Sequence, residues 1–123
     1  RVAIWGLAFK PRTDDIRDAP AIDLIDGLLA AGASVRVHDP EAIDNVRAVY
    51  GERLEYAATP LDTLDAADCL AIVTEWGDYR RPDFDEMARR MRQRLIFDGR
   101  NLYPPAELKA RGFSYHAIGK QPV

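Results

Sequence analysis

The run Cys69-Leu70-Ala71-Ile72-Val73-Thr74 carries no charge and no alternation of polar with apolar side chains. A strand with one wet face alternates with period two. A continuous apolar run of this length instead belongs to a strand buried on both faces, the pattern of a parallel sheet covered by helices. Val2-Ala3-Ile4-Trp5 repeats that pattern at the start of the chain. Helically spaced segments lie between and after these runs, so strand and helix alternate.

Six strands are predicted, over residues 2–9, 34–38, 54–57, 69–74, 95–98 and 113–118. The first helix runs from Pro20 to Ala31, with Ile22, Ile25, Leu28 and Leu29 on one face, Asp18 as N-cap, Pro20 in the first turn and Gly32 past the end. Ala42, Ile43, Val46 and Val49 mark a second helix that stops at Gly51, and Thr59-Pro60 opens a third of about two turns through Ala66. Asp83 and Glu86 have capping-box spacing before Phe84, Ala88 and Met91, and a last helix covers Pro105 to Arg111. Strands that alternate with helices in this way fold most economically as an α/β domain: a Rossmann-like, doubly wound, six-stranded parallel sheet with helices on both faces. Residues 1–123 are read as a single domain and, because Arg1 leads straight into a strand without an initiating Met, as a fragment of a longer protein.

Charge and composition exclude several partners. The formal net charge is −3, so the molecule as a whole does not attract polyanions, and any phosphate site must come from local charge. Six arginines lie between Arg80 and Arg94, but Asp83, Asp85 and Glu86 are interleaved with them, which reads as a solvated face and not as a nucleic-acid stripe. No apolar run is long enough to span a bilayer. Cys69 is the single cysteine, so no internal disulfide forms, which favours a reducing compartment, the cytoplasm.

Two connections are unusual. Gly6 to Arg17 is about twice the usual length of a strand-to-helix turn and carries an aromatic, a lysine and two arginines. The second, Glu75 to Pro82, follows the fourth strand. In a Rossmann-like order the first and fourth strands are neighbours where the strand order reverses, and ligands of such sheets sit there, outside the carboxyl ends of the strands. A dinucleotide fingerprint would place glycines where Ala8 and Pro11 stand, which argues against ordinary NAD binding by this loop. Phe9 and Lys10 offer a flat apolar surface and a point charge suited to a nucleotide held by side chains; the plainer reading makes Phe9 core and Lys10 a solvated loop charge.

Carboxylates near a diphosphate would repel it, so Asp14 and Asp15 are expected to turn away, pairing with Arg12 or Arg17 or facing the helix start; a catalytic carboxylate pair is the rival reading. Asp39 stands where a Rossmann domain places its ribose-binding acid, although Asp39-Pro40 also reads as a helix opener. Arg100 follows the fifth strand on the same sheet edge as Lys10, where a guanidinium can fork onto phosphate or sugar hydroxyls. His38 and His116 have no partners at metal-ligand spacing, and Cys69 reads as core packing and not as a nucleophile.

Taken together, Gly6-Leu7-Ala8-Phe9-Lys10, Thr13-Asp14-Asp15-x-Arg17-x-x-Pro20, Asp39-Pro40, Thr74-Glu75-Trp76 and Phe97-Asp98-Gly99-Arg100-Asn101 resemble the C-terminal domain of the UDP-glucose/GDP-mannose dehydrogenase family, in order and over essentially the whole chain. The likeness is greatest to the bacterial members that oxidise UDP-glucose to UDP-glucuronate. The resemblance implies a parent enzyme with an NAD-binding N-terminal domain and a helical central region that carries a catalytic cysteine and mediates dimerisation. The present domain would close over the UDP-sugar substrate. The implied reaction is a four-electron oxidation of the sugar C6 alcohol through a thiohemiacetal and a thioester.

Carried onto this sequence, the nucleotide-sugar contacts fall on Phe9, Lys10 and Arg100. No catalytic, NAD-binding or metal-binding residue falls within the chain, and Cys69 does not match the nucleophile. Alternatives are the same domain from a member acting on GDP-mannose or UDP-N-acetylmannosamine, or a non-catalytic nucleotide-sensing or assembly module.

Overall fold

The computed structural model describes residues 1–8, 10 and 12–117. Six parallel strands, β1 (Val2–Trp5), β2 (Val35–His38), β3 (Glu55–Tyr56), β4 (Cys69–Ile72), β5 (Leu95–Asp98) and β6 (Ser114–Ala117), form one sheet in the order β3-β2-β1-β4-β5-β6. Helices α1 (Pro20–Ala30), α2 (Ile43–Tyr50), α3 (Phe84–Arg90) and α4 (Pro105–Ala110) connect them. The strand order reverses between β1 and β4, as the doubly wound reading requires, and there the register pairs Val2 with Cys69 and Trp5 with Ile72.

Helices lie on both faces of the sheet, and β1 is buried on both; β4 and β5, against the expectation for the Cys69–Thr74 run, alternate, with Cys69, Ala71 and Phe97 on a face that the helices leave partly open. Ile4 and Val37 pack with Ala21 and Ile25 of α1 and Val46 of α2. Ala3, Trp5, Leu70, Ile72, Ile96 and Tyr115 face a second core with Met87 of α3 and Leu108 of α4. The Trp5 ring stacks on Tyr79 at 4.9 Å, and its indole N–H donates to Thr63 Oγ1 at 2.9 Å, so the largest buried side chain has its polar atom satisfied.

Several local expectations are revised. Residues 61–64 form a single 3₁₀ turn in place of the two-turn third helix: Leu61 and Leu64 lie three apart, a spacing that fits either helix type. Ala19, not Asp18, is the N-cap of α1, because Asp18 adopts a left-handed φ of 54° and makes no capping bond. β1 ends at Trp5, where Gly6 turns to a φ of 94°; Phe9, placed in the same strand by the sequence, lies outside the described residues, as does Ile118 at the expected end of β6. The Asp83 cap holds, its carboxylate accepting from Glu86 N at 3.1 Å.

Candidate functional site

The chain leaves β1 through Gly6, which the fold locks from two sides. Gly6 N donates to His38 O at 2.9 Å, and a Cβ at this position would lie 2.5 Å from both Thr74 N and Thr74 Cβ. Thr74, fully buried just past β4, donates its hydroxyl to Ala8 O at 2.6 Å. The overlong loop is thus tied to the neighbouring strand at the switch point.

Asp39 holds the same loop from the other side. It is 3% exposed; Oδ2 accepts from Leu7 N at 2.8 Å and Ala8 N at 3.4 Å, while Oδ1 accepts from Glu41 N and Ala42 N, each at 2.8 Å. The two donors ahead of α2, Glu41 N and Ala42 N, support the helix-opener reading, with the difference that Ala42, not Asp39, is the N-cap of α2. Both oxygens are engaged internally, so this acid presents nothing to a ribose.

Beyond Ala8 the loop reaches the surface. Lys10 is exposed, Arg12 is exposed with a left-handed φ of 65°, and Asp14 O accepts from Asn45 Nδ2 of α2 at 2.8 Å. Asp15 grips Arg17 with both oxygens, at 3.0 Å to Nε and 2.8 Å to Nη2, which lowers its pKa to about 2. Asp15 thus takes the Arg17 partner expected of it.

At the end of β5, Asp98 turns inward at 2% exposure, and the chain reverses through Gly99, Arg100 and Asn101, the last with a left-handed φ of 58°. Arg100 is exposed, and among the described residues neither Arg100 nor Lys10 enters an ion pair. The turns after β1 and β5 share the carboxyl edge of the sheet two strand spacings apart, about 10 Å.

Arg100 lines a mainly apolar cavity of about 560 Å³ with Asp98, Gly99, Phe97, Pro20 and Leu24 of α1, residues 71–73, His116 and Ala117. Phe97 is 44% exposed and stacks on His116, its register partner on β6, at 5.1 Å. Lys10 does not line this cavity, and Phe9 lies outside the described residues, so only Arg100 of the three sequence-predicted contacts is placed in it.

Beneath this edge His38 Nδ1 and Tyr79 OH share a hydrogen bond of 2.9 Å. Burial lowers the His38 pKa and pushes the Tyr79 phenol far up. Burial likewise raises the Cys69 thiol, which suits packing and not nucleophilic attack. No group of three potential metal ligands occurs among the described residues. Sequence reasoning did not find the roles of Thr74 and Asp98, present only as letters of two motifs, nor the Phe97–His116 stack; the bond that gives Thr74 its place reaches Ala8, 66 residues away.

Comparison with known proteins gives this geometry a family. Residues 3–105 match the profile of the UDP-glucose/GDP-mannose dehydrogenase family, UDP binding domain. The chain is 48% identical over 124 aligned positions to a UDP-glucose 6-dehydrogenase of Pseudomonas aeruginosa, covering 97% of this chain and 27% of that enzyme. Among solved structures, a UDP-glucose dehydrogenase from Pyrobaculum islandicum superposes with a TM-score of 0.79 at 35% identity, over 98% of this chain and 25% of that one. An NDP-N-acetyl-D-galactosaminuronic acid dehydrogenase from Methanosarcina mazei superposes with a TM-score of 0.83 at 31% identity, over 98% and 24%. The chain thus spans about a quarter of the length of the relatives it matches. A carboxyl sheet edge without the dinucleotide glycines, and a profile match across most of the chain, lead to one assignment: it belongs to the UDP-glucose/GDP-mannose dehydrogenase family, as a UDP binding domain.

Proposed function

We propose that this chain is the nucleotide-sugar-binding domain of an NAD-dependent UDP-glucose 6-dehydrogenase acting in the cytoplasm, and that Lys10 and Arg100, with Phe9, hold the UDP-sugar. The observation that carries the reading is the pair of exposed cations, outside any ion pair among the described residues, on turns at one carboxyl edge, each turn pinned by a buried carboxylate whose oxygens are taken up by hydrogen bonds within the protein. Lys10 supplies a point charge to a phosphate, Arg100 a planar fork for phosphate or sugar hydroxyls, and Phe9 an apolar surface. The inward turn of Asp39 and Asp98 removes the repulsion that exposed carboxylates would exert on a diphosphate.

The remainder of a longer chain supplies the catalytic cysteine and binds NAD, which takes up the electrons of the alcohol-to-carboxylate oxidation when bound. This domain contributes substrate affinity and orientation, and alone it turns nothing over. A relative named for another sugar, the NDP-N-acetyl-D-galactosaminuronic acid dehydrogenase, shares this fold, so the fold alone does not select the sugar. In the full-length dehydrogenase, Lys10→Ala or Arg100→Ala each removes hydrogen bonds to a charged group, about 1.5–3 kcal/mol, so the KM for the nucleotide sugar rises roughly 10- to 150-fold while the KM for NAD stays put. Unchanged sugar KM values in both variants would refute the assignment.

A further inference from the structure

We propose that Asp98 and Tyr115 are positioning residues: they fix the turn that presents Arg100 and so govern nucleotide-sugar binding without touching the ligand. The inference rests on the reading of Arg100 as a ligand contact and adds what makes that contact possible.

A carboxylate at 2% exposure is costly unless its lone pairs are used. Asp98 takes three short hydrogen bonds. Oδ1 accepts from Arg100 N at 2.7 Å, and Oδ2 accepts from Leu102 N at 2.7 Å and from the Tyr115 hydroxyl at 2.6 Å. Two of these donors are the backbone N–H groups on either side of Asn101, the residue with a φ of 58°. Asn tolerates a left-handed φ better than other non-glycine residues, so the turn forms here at small cost, and the carboxylate bonds on either side of Asn101 hold it in one arrangement. Gly99 N donates to Ile72 O at 2.9 Å, which fixes where the turn begins. The direction in which Arg100 leaves the sheet is therefore set by one side chain.

Tyr115 orients that side chain in turn. Its ring is buried between β6 and α4, its hydroxyl accepts from Tyr103 N at 3.3 Å, and Tyr103 donates to Tyr79 O at 2.6 Å. Tyr79 donates to His38 O at 3.1 Å, next in sequence to the Asp39 that holds the Lys10 loop. The two cationic turns thus hang from one buried network, with a carboxylate at each end.

The test is a titration of UDP into this chain for the wild type, Arg100→Ala, Asp98→Asn, Tyr115→Phe and the Arg100→Ala/Asp98→Asn double variant, with thermal unfolding of each. The Asp98→Asn change keeps the side-chain size but turns one acceptor oxygen into a donor facing donors, so the turn opens; Tyr115→Phe removes one of three donors. Arg100→Ala and Asp98→Asn each weaken UDP roughly tenfold, the size of one lost hydrogen bond to a charged group, and Tyr115→Phe weakens it about threefold. The double variant binds no more weakly than Arg100→Ala alone, because Asp98 acts only through Arg100. A purely structural role lowers the unfolding temperature without this saturation. Factors that multiply in the double variant, or undiminished affinity in Tyr115→Phe, would overturn the proposal while leaving Arg100 as a contact. Undiminished affinity in Arg100→Ala would overturn the underlying reading instead. If Asp98→Asn does not fold, Tyr115→Phe measured with and without Arg100→Ala decides the question in the same way.

Discussion

Gly6→Ala is the substitution on which the geometry of the switch point bears most directly. Two costs add. The φ of 94° lies in the left-handed half of conformational space, where an L side chain costs roughly 1–2 kcal/mol. The new methyl would also sit 2.5 Å from Thr74 N, a backbone atom just past β4, and 2.5 Å from Thr74 Cβ. Overpacking of this kind costs about 1–3 kcal/mol, and here the neighbour cannot swing away because Thr74 is tied to Ala8 O.

The sum, about 2–5 kcal/mol, is a large part of the 5–15 kcal/mol that typically holds a domain together. With an unfolding entropy near 2.1 cal/mol/K per residue, 123 residues give roughly 4 °C per kcal/mol, so the midpoint should fall by about 8–20 °C. Circular-dichroism melts paired with urea titrations measure both quantities. Gly27→Ala is the internal control: Gly27 lies within α1 with nothing within 4 Å of its missing Cβ, so the same chemical change should stabilise by about 0.5–1 kcal/mol. A Gly6→Ala midpoint within about 3 °C of wild type would refute the account of the locked turn.

Two further outcomes follow from the buried histidine and from α3. His38 titrates below its ordinary 6.5 because burial disfavours the imidazolium, so the unfolded chain binds more protons between the lowered value and 6.5. Stability is therefore fully present above about pH 7 and declines as pH falls through that window; urea midpoints between about pH 7.5 and 5.5 should show the decline in the wild type and a shallower one in His38→Gln. Asp83→Ala removes the acceptor for Glu86 N at the start of α3 and should cost about 1 kcal/mol in urea unfolding, while Asp85→Ala, two residues on and outside that bond, should cost less.

The framework of the sheet was legible because continuous apolar runs leave a local trace, although of the two runs only β1 is buried on both faces and β4 alternates between buried and part-exposed residues. Val2–Trp5 and Cys69–Ile72 are apolar without alternation, and the structure places them side by side at the reversal. The short third helix was not legible: with only Leu61 and Leu64 to define a period, an α-helix and a 3₁₀ turn give the same pattern. β1 was overextended for a different reason. Leu7 and Ala8 are as apolar as the strand, but their N–H groups are taken by a carboxylate 32 and 31 residues away.

The same principle divides the candidate site. Lys10 and Arg100 were named as candidates because cations next to predicted strand ends are visible in the sequence. Asp98 was visible only as a motif letter, since its function lies in bonds to its own turn and to Tyr115, 17 residues on. Thr74 acts at a distance of 66 residues from Ala8, and no spacing rule reaches that far.

The central claim is that this sheet edge holds a uridine nucleotide and not a dinucleotide. Calorimetric titration of the 123-residue chain with UDP and, separately, with NAD tests it most directly. The account predicts saturable heat with UDP, weakened roughly tenfold in Arg100→Ala, and none with NAD; saturable NAD binding, or UDP binding indifferent to Arg100, would contradict it.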